Sequence, residues 1–227
     1  MNDGEGATAV VSGLKVATFL PDAPSDAVVY LISPARDASE VWRLLSTPKP
    51  ALVSIEAPDW NRDLSPWEAP KVFKGGEAFA GGANAFLHTI VNGVAPTVEV
   101  DLPAKPRLRC IAGVSLGGLF AVYSLYQTPC FDAAASVSGS FWFPGFVDYL
   151  KANAPVADVR RAYFSVGDLE SRTKNAVLAT VEAQTLQAVD AFKQRGVETI
   201  FELNKGNHFV DGGPRLKRAI EWLCQPR

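Results

Sequence analysis

Two hydrophobic periods take turns along this chain. Leu14, Val16, Thr18 and Leu20 oppose Lys15, Ala17 and Phe19, a strand period over residues 14–20. A Pro21-Asp22-Ala23-Pro24-Ser25-Asp26 turn leads into an apolar strand from Val28 to Ile32. Val41, Trp42, Leu44 and Leu45 follow at helical spacing, with Asp37 or Ser39 as the expected cap. Ala51-Leu52-Val53-Ser54-Ile55 reads as a short strand buried on both faces. Helical spacing returns from about Asn84 through Phe86, Leu87, Ile90 and Val91. Further strands are expected over 109–112, 133–137, 161–166 and 197–203. Glu198 and Glu202 interrupt the last of these, which suits a half-exposed strand near a sheet edge. Helices are expected from Phe146 to Lys151, from Lys174 to Arg195 with Gly196 as the stop, and from Pro214 through Leu216, Ile220 and Leu223.

Strand and helix alternate so often that the class is α/β: a mostly parallel, doubly wound sheet with helices on both faces. Neither an internal repeat nor a linker interrupts residues 1–227, so one domain is expected. Sheets of this kind carry their chemistry at the carboxyl ends of the strands. The longest irregular stretch, 57–82, holds Trp60, Arg62, Trp67, Phe73 and Lys74, and long loops in compact domains tend to be functional.

Composition narrows the partners. Formal charge is −2 over 227 residues, which gives no electrostatic case for nucleic acid or an anionic membrane. No stretch approaches the roughly 18 apolar residues of a membrane span. The acidic start, Met1-Asn2-Asp3-Gly4-Glu5-Gly6, lacks the basic and apolar regions of a leader, so a cytoplasmic protein is expected. Cys110, Cys130 and Cys224 are odd in number and irregular in spacing, which argues for buried thiols rather than a disulfide frame or a metal site.

The chemistry gathers around Gly113-Val114-Ser115-Leu116-Gly117, where an apolar strand breaks into helical spacing at Leu119, Val122, Tyr123 and Tyr126. A serine at such a junction sits on a sharp turn that lifts its hydroxyl above the sheet. A Cβ at Gly113 or Gly117 would collide with the neighbouring element. The turn also aims the Leu116 amide and the positive end of the helix at the hydroxyl, which suits a nucleophile whose product carries an oxyanion. Of the two histidines, His88 lies within a helix and reads as a surface residue, whereas His208 directly follows the last strand and suits a general base. Two carboxylates, Asp168 and Glu170, follow the preceding strand. A carboxylate about three residues past Gly167 favours Glu170, with Asp168 as the alternative acid or a loop cap. A serine–histidine dyad using neither also remains open. The second oxyanion donor is expected from Asp59 or Trp60, since Pro58 has no N–H. Arg62, Trp60, Trp67 and Trp142 are either loop anchors or a substrate wall, with Arg62 suited to an anionic or carbonyl-bearing group. Only some fifteen residues separate Phe143 from Val159, too few for a large lid.

Six motifs together resemble the α/β-hydrolase superfamily, in its branch of esterase D-like enzymes and enterochelin (siderophore trilactone) esterases. They are Arg62-Asp63-Leu64-Ser65-Pro66, Gly81-Gly82-Ala83-Asn84-Ala85-Phe86-Leu87, Ala112-Gly113-Val114-Ser115-Leu116-Gly117-Gly118, Ser138-Gly139-Ser140-Phe141-Trp142, Ser165-Val166-Gly167-Asp168-Leu169-Glu170 and Gly206-Asn207-His208. The resemblance implies a serine carboxylesterase needing no cofactor and acting on a small-molecule ester. Ser115 would be its nucleophile, His208 its base and Glu170 or Asp168 its acid. The same machinery supports acyl transfer or thioester hydrolysis, and an inactive binding module is the reading from another class. Set against the enterochelin esterases, the chain is expected to lack the extra domain that some of them carry, and few basic residues stand around the expected cleft. Nothing in the sequence speaks to oligomeric state.

Overall fold

The computed structural model describes residues 6–226, so the acidic residues 1–5 read above for a leader lie outside the described residues. The strands are β1 Ala7–Val11, β2 Leu14–Phe19, β3 Ala27–Ile32, β4 Ala51–Ile55, β5 Glu68–Ala69, β6 Phe79–Ala80, β7 Leu108–Val114, β8 Ala133–Val137, β9 Arg161–Gly167 and β10 Glu198–Asn204. The helices are α1 Ala35–Leu44, α2 Trp60–Asp63, α3 Ala83–Thr89, α4 Ala95–Glu99, α5 Leu116–Ser124, α6 Phe146–Ala152, α7 Val181–Lys193 and α8 Gly212–Leu223, with a π turn over Ile90–Val94 joining α3 to α4.

Eight strands form one sheet in the order β1-β2-β4-β3-β7-β8-β9-β10, and β5 pairs with β6 apart from it. From β4 to β10 every neighbouring pair is parallel; β2 joins β4 antiparallel, and β1 joins β2 antiparallel. The central strand β3 is buried at every residue because both of its faces are covered. Val28, Tyr30 and Ile32 enter a core shared with α3 to α7, while Val29 and Leu31 enter a core shared with α1 and α8. That double cover is why the strand reads as a continuous apolar run rather than an alternation. As its two glutamates suggest, β10 lies at the sheet edge. The three cysteines are free thiols, with Cys110 fully buried. Among the described residues no helix is long and apolar enough to cross a membrane.

Several sequence expectations are corrected. Strand β1 went unread because most of its residues face solvent and offer no apolar alternation. It enters the sheet through a two-residue hairpin turn, Ser12-Gly13, in which both residues take positive φ, 51° and 83°. Helix α1 begins at Ala35 with Pro34 in the cap position, so Asp37 lies in its first turn and caps nothing. The helix expected from Lys174 is α-helical only from Val181, after a tight turn at Leu178–Thr180. The Asn175 side chain captures the amides of Val177 and Leu178 at 3.1 and 3.3 Å, and this local bonding competes with helix. All nine residues of α5 are buried, so Leu119 and Val122 are not part of a single apolar stripe. The helix is wedged between the sheet and α3, with Phe120 packing on Phe86 at a ring separation of 5.3 Å.

Candidate active site

Five strand ends converge on one edge of the sheet, and each carries a residue of interest just beyond it. Ser115 stands between β7 and α5 with φ 60° and ψ −125°, a conformation that costs a residue with a Cβ on the order of 1–3 kcal/mol. Hydrogen bonds hold it there. Its amide donates to Val137 O at 3.0 Å, and its carbonyl accepts from the amides of Ser140, Gly118 and Leu119 at 3.0–3.1 Å. Gly113 is required by contact, because a Cβ there would lie 2.4 Å from the backbone carbon of Gly117. Gly117 is less constrained than its sequence position suggests, since its Cβ would meet Ile32 O at 3.3 Å. The tighter neighbour is Gly118, whose Cβ would lie 2.7 Å from Ser136 Oγ.

His208, in the loop after β10, places Nδ1 2.9 Å from Glu170 Oε2. The other oxygen of Glu170 accepts from Ser138 Oγ at 2.6 Å and from the Gly167 amide at 2.5 Å, and lies 3.5 Å from an Arg215 guanidinium nitrogen. Burial alone would push this carboxyl up, with its side chain only 3% exposed. The hydrogen bonds from His208, Ser138 and Gly167 outweigh that and leave it below its ordinary range. Asp168, the other expected acid, turns away from the imidazole. Its carboxylate accepts from the Gly206 amide at 2.8 Å and so staples the loop after β9 to the loop after β10. The two loops touch so closely that a Cβ at Gly167 would stand 2.3 Å from Gly206 O. A carboxylate one residue past Gly167 is consumed by this junction, and one three residues past it clears the junction and reaches the ring.

Arg215 was not singled out from sequence. It is 1% exposed on α8, and its guanidinium donates to Ser138 Oγ at 3.1 Å and to the carbonyls of Lys205 and Asn207 at 2.9 and 3.4 Å. One buried cation therefore grips Ser138, the neighbour of Glu170, and both sides of the histidine loop. The signal was present, because Arg215 stands four residues before Ala219 on the helix's buried face, where an arginine needs partners. Ser138 and Ser140 were quoted only as part of a motif. Ser138 (φ 48°) bridges Glu170 and Arg215, and Ser140 Oγ lies 3.3 Å from Ser115 Oγ. Among the described residues no hydrogen bond joins Ser115 to His208, although both line the same cavity.

For the second oxyanion donor, the two expected amides differ. The Asp59 amide is occupied by Asp63 Oδ2 at 2.9 Å, while Asp59 itself caps α2 by accepting from the Arg62 amide at 3.0 Å. The amides of Trp60 and Leu116, each the first residue of its helix, make no hydrogen bond among the described residues. Arg62, expected as a substrate ligand or a loop anchor, sits in an ion pair. Its guanidinium is engaged by Asp63 at 2.7 Å, with Asp59 at 3.9 Å, and it does not line the cavity. Trp67 is an anchor, donating to Pro144 O at 3.0 Å and packing edge-on against Phe143. Trp60 and Trp142 do line the cavity, which has a volume of about 240 Å³ with Ser115, Leu116, Glu170 and His208 among its walls. Beside the cavity, Asn175 from the loop after β9 donates to Val72 O of the 57–82 loop at 2.9 Å and ties the two loops together. His88 is exposed at the end of α3, away from all of this.

A mostly parallel sheet flanked by helices, with a positive-φ serine at a strand–helix elbow and no large lid insertion, defines an α/β hydrolase. The family model described as "Putative esterase" matches residues 26–213, and the chain belongs to that esterase family. Membership of that family makes it an enzyme of the esterase kind. It is 25% identical over 184 residues to the uncharacterised protein YbbA of Bacillus subtilis (strain 168), across 78% of this chain and 74% of that one. Its fold is similar to an IroE-like serine hydrolase from Shewanella oneidensis, with a TM-score of 0.80 at 19% identity over 97% of this chain and 80% of the other. It is also similar to the siderophore hydrolase EstB from Aspergillus nidulans, with a TM-score of 0.76 at 20% identity over 100% of this chain and 98% of the other.

Proposed function

We propose that the chain hydrolyses a small-molecule carboxylic ester through an acyl-enzyme on Ser115. The observation that carries the reading is the strained Ser115 elbow opening into the same cavity as a His208–Glu170 pair. The hydroxyl leaves Ser140, gives its proton to His208 Nε2 and attacks the ester carbonyl carbon. The resulting oxyanion is met by the amides of Leu116 and Trp60 at the positive ends of their helices. Collapse breaks the bond to the alcohol, which takes the proton from the imidazolium. Water then attacks the acyl-enzyme with the same histidine as base, releasing the acid and restoring Ser115. Glu170 holds the Nδ1–H tautomer, leaving Nε2 free to accept, and stabilises the imidazolium when it forms.

The test is Ser115→Ala against short p-nitrophenyl esters, with a fluorophosphonate probe alongside. Turnover and labelling should both vanish while the far-UV spectrum is unchanged. Retained turnover in this variant would remove Ser115 from the mechanism. A wild-type protein that neither turns over esters nor takes the probe would instead be a binding module.

A further inference from the structure

The walls of the cavity say what kind of ester can enter, provided that Ser115 is the nucleophile as proposed above. Phe79 and Trp142 form one wall, their ring centroids 6.1 Å apart, and Trp60, Leu116 and Val181 continue the apolar lining. At the rim, Phe73 is 54% exposed and Phe209 is 90% exposed. The Phe209 ring stands edge-on to the His208 imidazole with centroids 5.1 Å apart, beside the group that must deliver a proton to the departing alcohol. Aromatic rings left in water around a cleft mark a surface that gains by being covered.

The charges point the same way. The charged side chains on the cavity wall are carboxylates, Glu77 and Glu170, and Glu170 already serves His208 and Arg215. Among the described residues no lysine or arginine lines the cavity. Lys74, on the same loop, is exposed and lies off the wall, and Arg62 is held by Asp63. A negatively charged group next to the scissile bond would therefore be desolvated against aromatic rings and repelled by Glu77, with no cation to receive it. The volume, about 240 Å³, is below the ~300–1,000 Å³ of sites that engulf drug-sized ligands, so the seated part is about the size of one ring with a short chain.

We propose that this site selects uncharged esters whose aromatic or bulky apolar group packs against the wall formed by Phe79 and Trp142, and discriminates against esters bearing a carboxylate near the carbonyl. The experiment compares kcat/KM for p-nitrophenyl valerate with that for the p-nitrophenyl half-ester of glutaric acid, and for p-nitrophenyl phenylacetate with that for the acetate. Valerate should exceed the half-ester by roughly 30-fold, as expected for a like charge several ångströms away at protein-surface dielectric. The margin should narrow in Glu77→Gln. Phenylacetate should exceed acetate, and that ratio should fall by about 10-fold in Trp142→Ala, the scale of one lost ring contact. Equal turnover of valerate and the half-ester, preference for the half-ester, or no loss of the aromatic preference in Trp142→Ala would overturn the inference and leave the hydrolase reading standing. Probe labelling at Ser115 without turnover of the neutral esters would overturn it too. Absence of both turnover and labelling is the separate failure, that of the hydrolase reading itself.

Discussion

Replacing Glu170 by glutamine keeps the shape of the side chain and removes one acceptor. Its two oxygens face unequal surroundings. One meets Ser138 Oγ, the Gly167 amide and the Arg215 guanidinium, and the other meets His208 Nδ1 alone. If the amide nitrogen took the crowded side, it would confront the Gly167 N–H and a cation at once, so the glutamine carbonyl belongs there. The nitrogen then faces His208, and the clash of two donors is relieved only if Nδ1 gives up its proton. Its tautomer would carry the proton on Nε2, where it cannot accept from Ser115. The loss of kcat should therefore be on the order of 10³–10⁴-fold, the scale of a base held in the wrong tautomer. Asp168→Asn is the control, because the asparagine carbonyl can still accept from the Gly206 amide, and its activity should fall by less than about 3-fold. Steady-state hydrolysis of a p-nitrophenyl ester by both variants at neutral pH is sufficient. Small and equal losses would refute the tautomer reasoning and favour a serine–histidine dyad.

The same carboxylate makes a pH prediction. Its folded pKa is lowered, so its contribution to stability is present above the unfolded value and is lost as pH falls through the folded one. The stability gap between wild type and Glu170→Gln, from urea unfolding, should shrink on acidification below about pH 5; a gap that widens would contradict the sign. Arg215→Met should cost ~3 kcal/mol or more in the same assay, since it leaves a buried carboxylate and two loop carbonyls short of a partner. A loss below about 1 kcal/mol would mean that solvent replaces the guanidinium. Trp60→Pro removes the amide at the first position of α2, where proline is tolerated and the preceding residue is already extended (φ −131°, ψ 104°). It should lower kcat by about 10²–10³-fold relative to Trp60→Phe, which alters the ring but keeps the amide. Equal kcat values in the two variants would remove Trp60 as an oxyanion donor.

Much of the fold was open to a reader of the sequence because its information is local. Apolar runs bounded by turns, the edge glutamates of β10 and the glycine that stops α7 each follow from a few adjacent residues. So did the short list around Ser115, since strand-end position is a local property and only one histidine follows a strand. The choice between Glu170 and Asp168 was not local. Both follow β9 within three residues, and what separates them is the approach of Gly206 from another strand, which absorbs Asp168 and leaves Glu170 facing the ring. Arg62 looked free in the sequence because Asp63 beside it did not announce that it would turn back, and Trp67 looked like Trp60 until the α6 region packed on it. Arg215 depends on three segments meeting, the end of β8, the loop before α8 and the Glu170 carboxylate after β9. The sequence by itself determined which residues stand at the strand ends and what chemistry they own. Tertiary structure alone decided which of them touch, because hydrogen bonds and charge pairs act over about 3 Å between residues far apart in the chain, such as Ser138 and Arg215, separated by 77 positions.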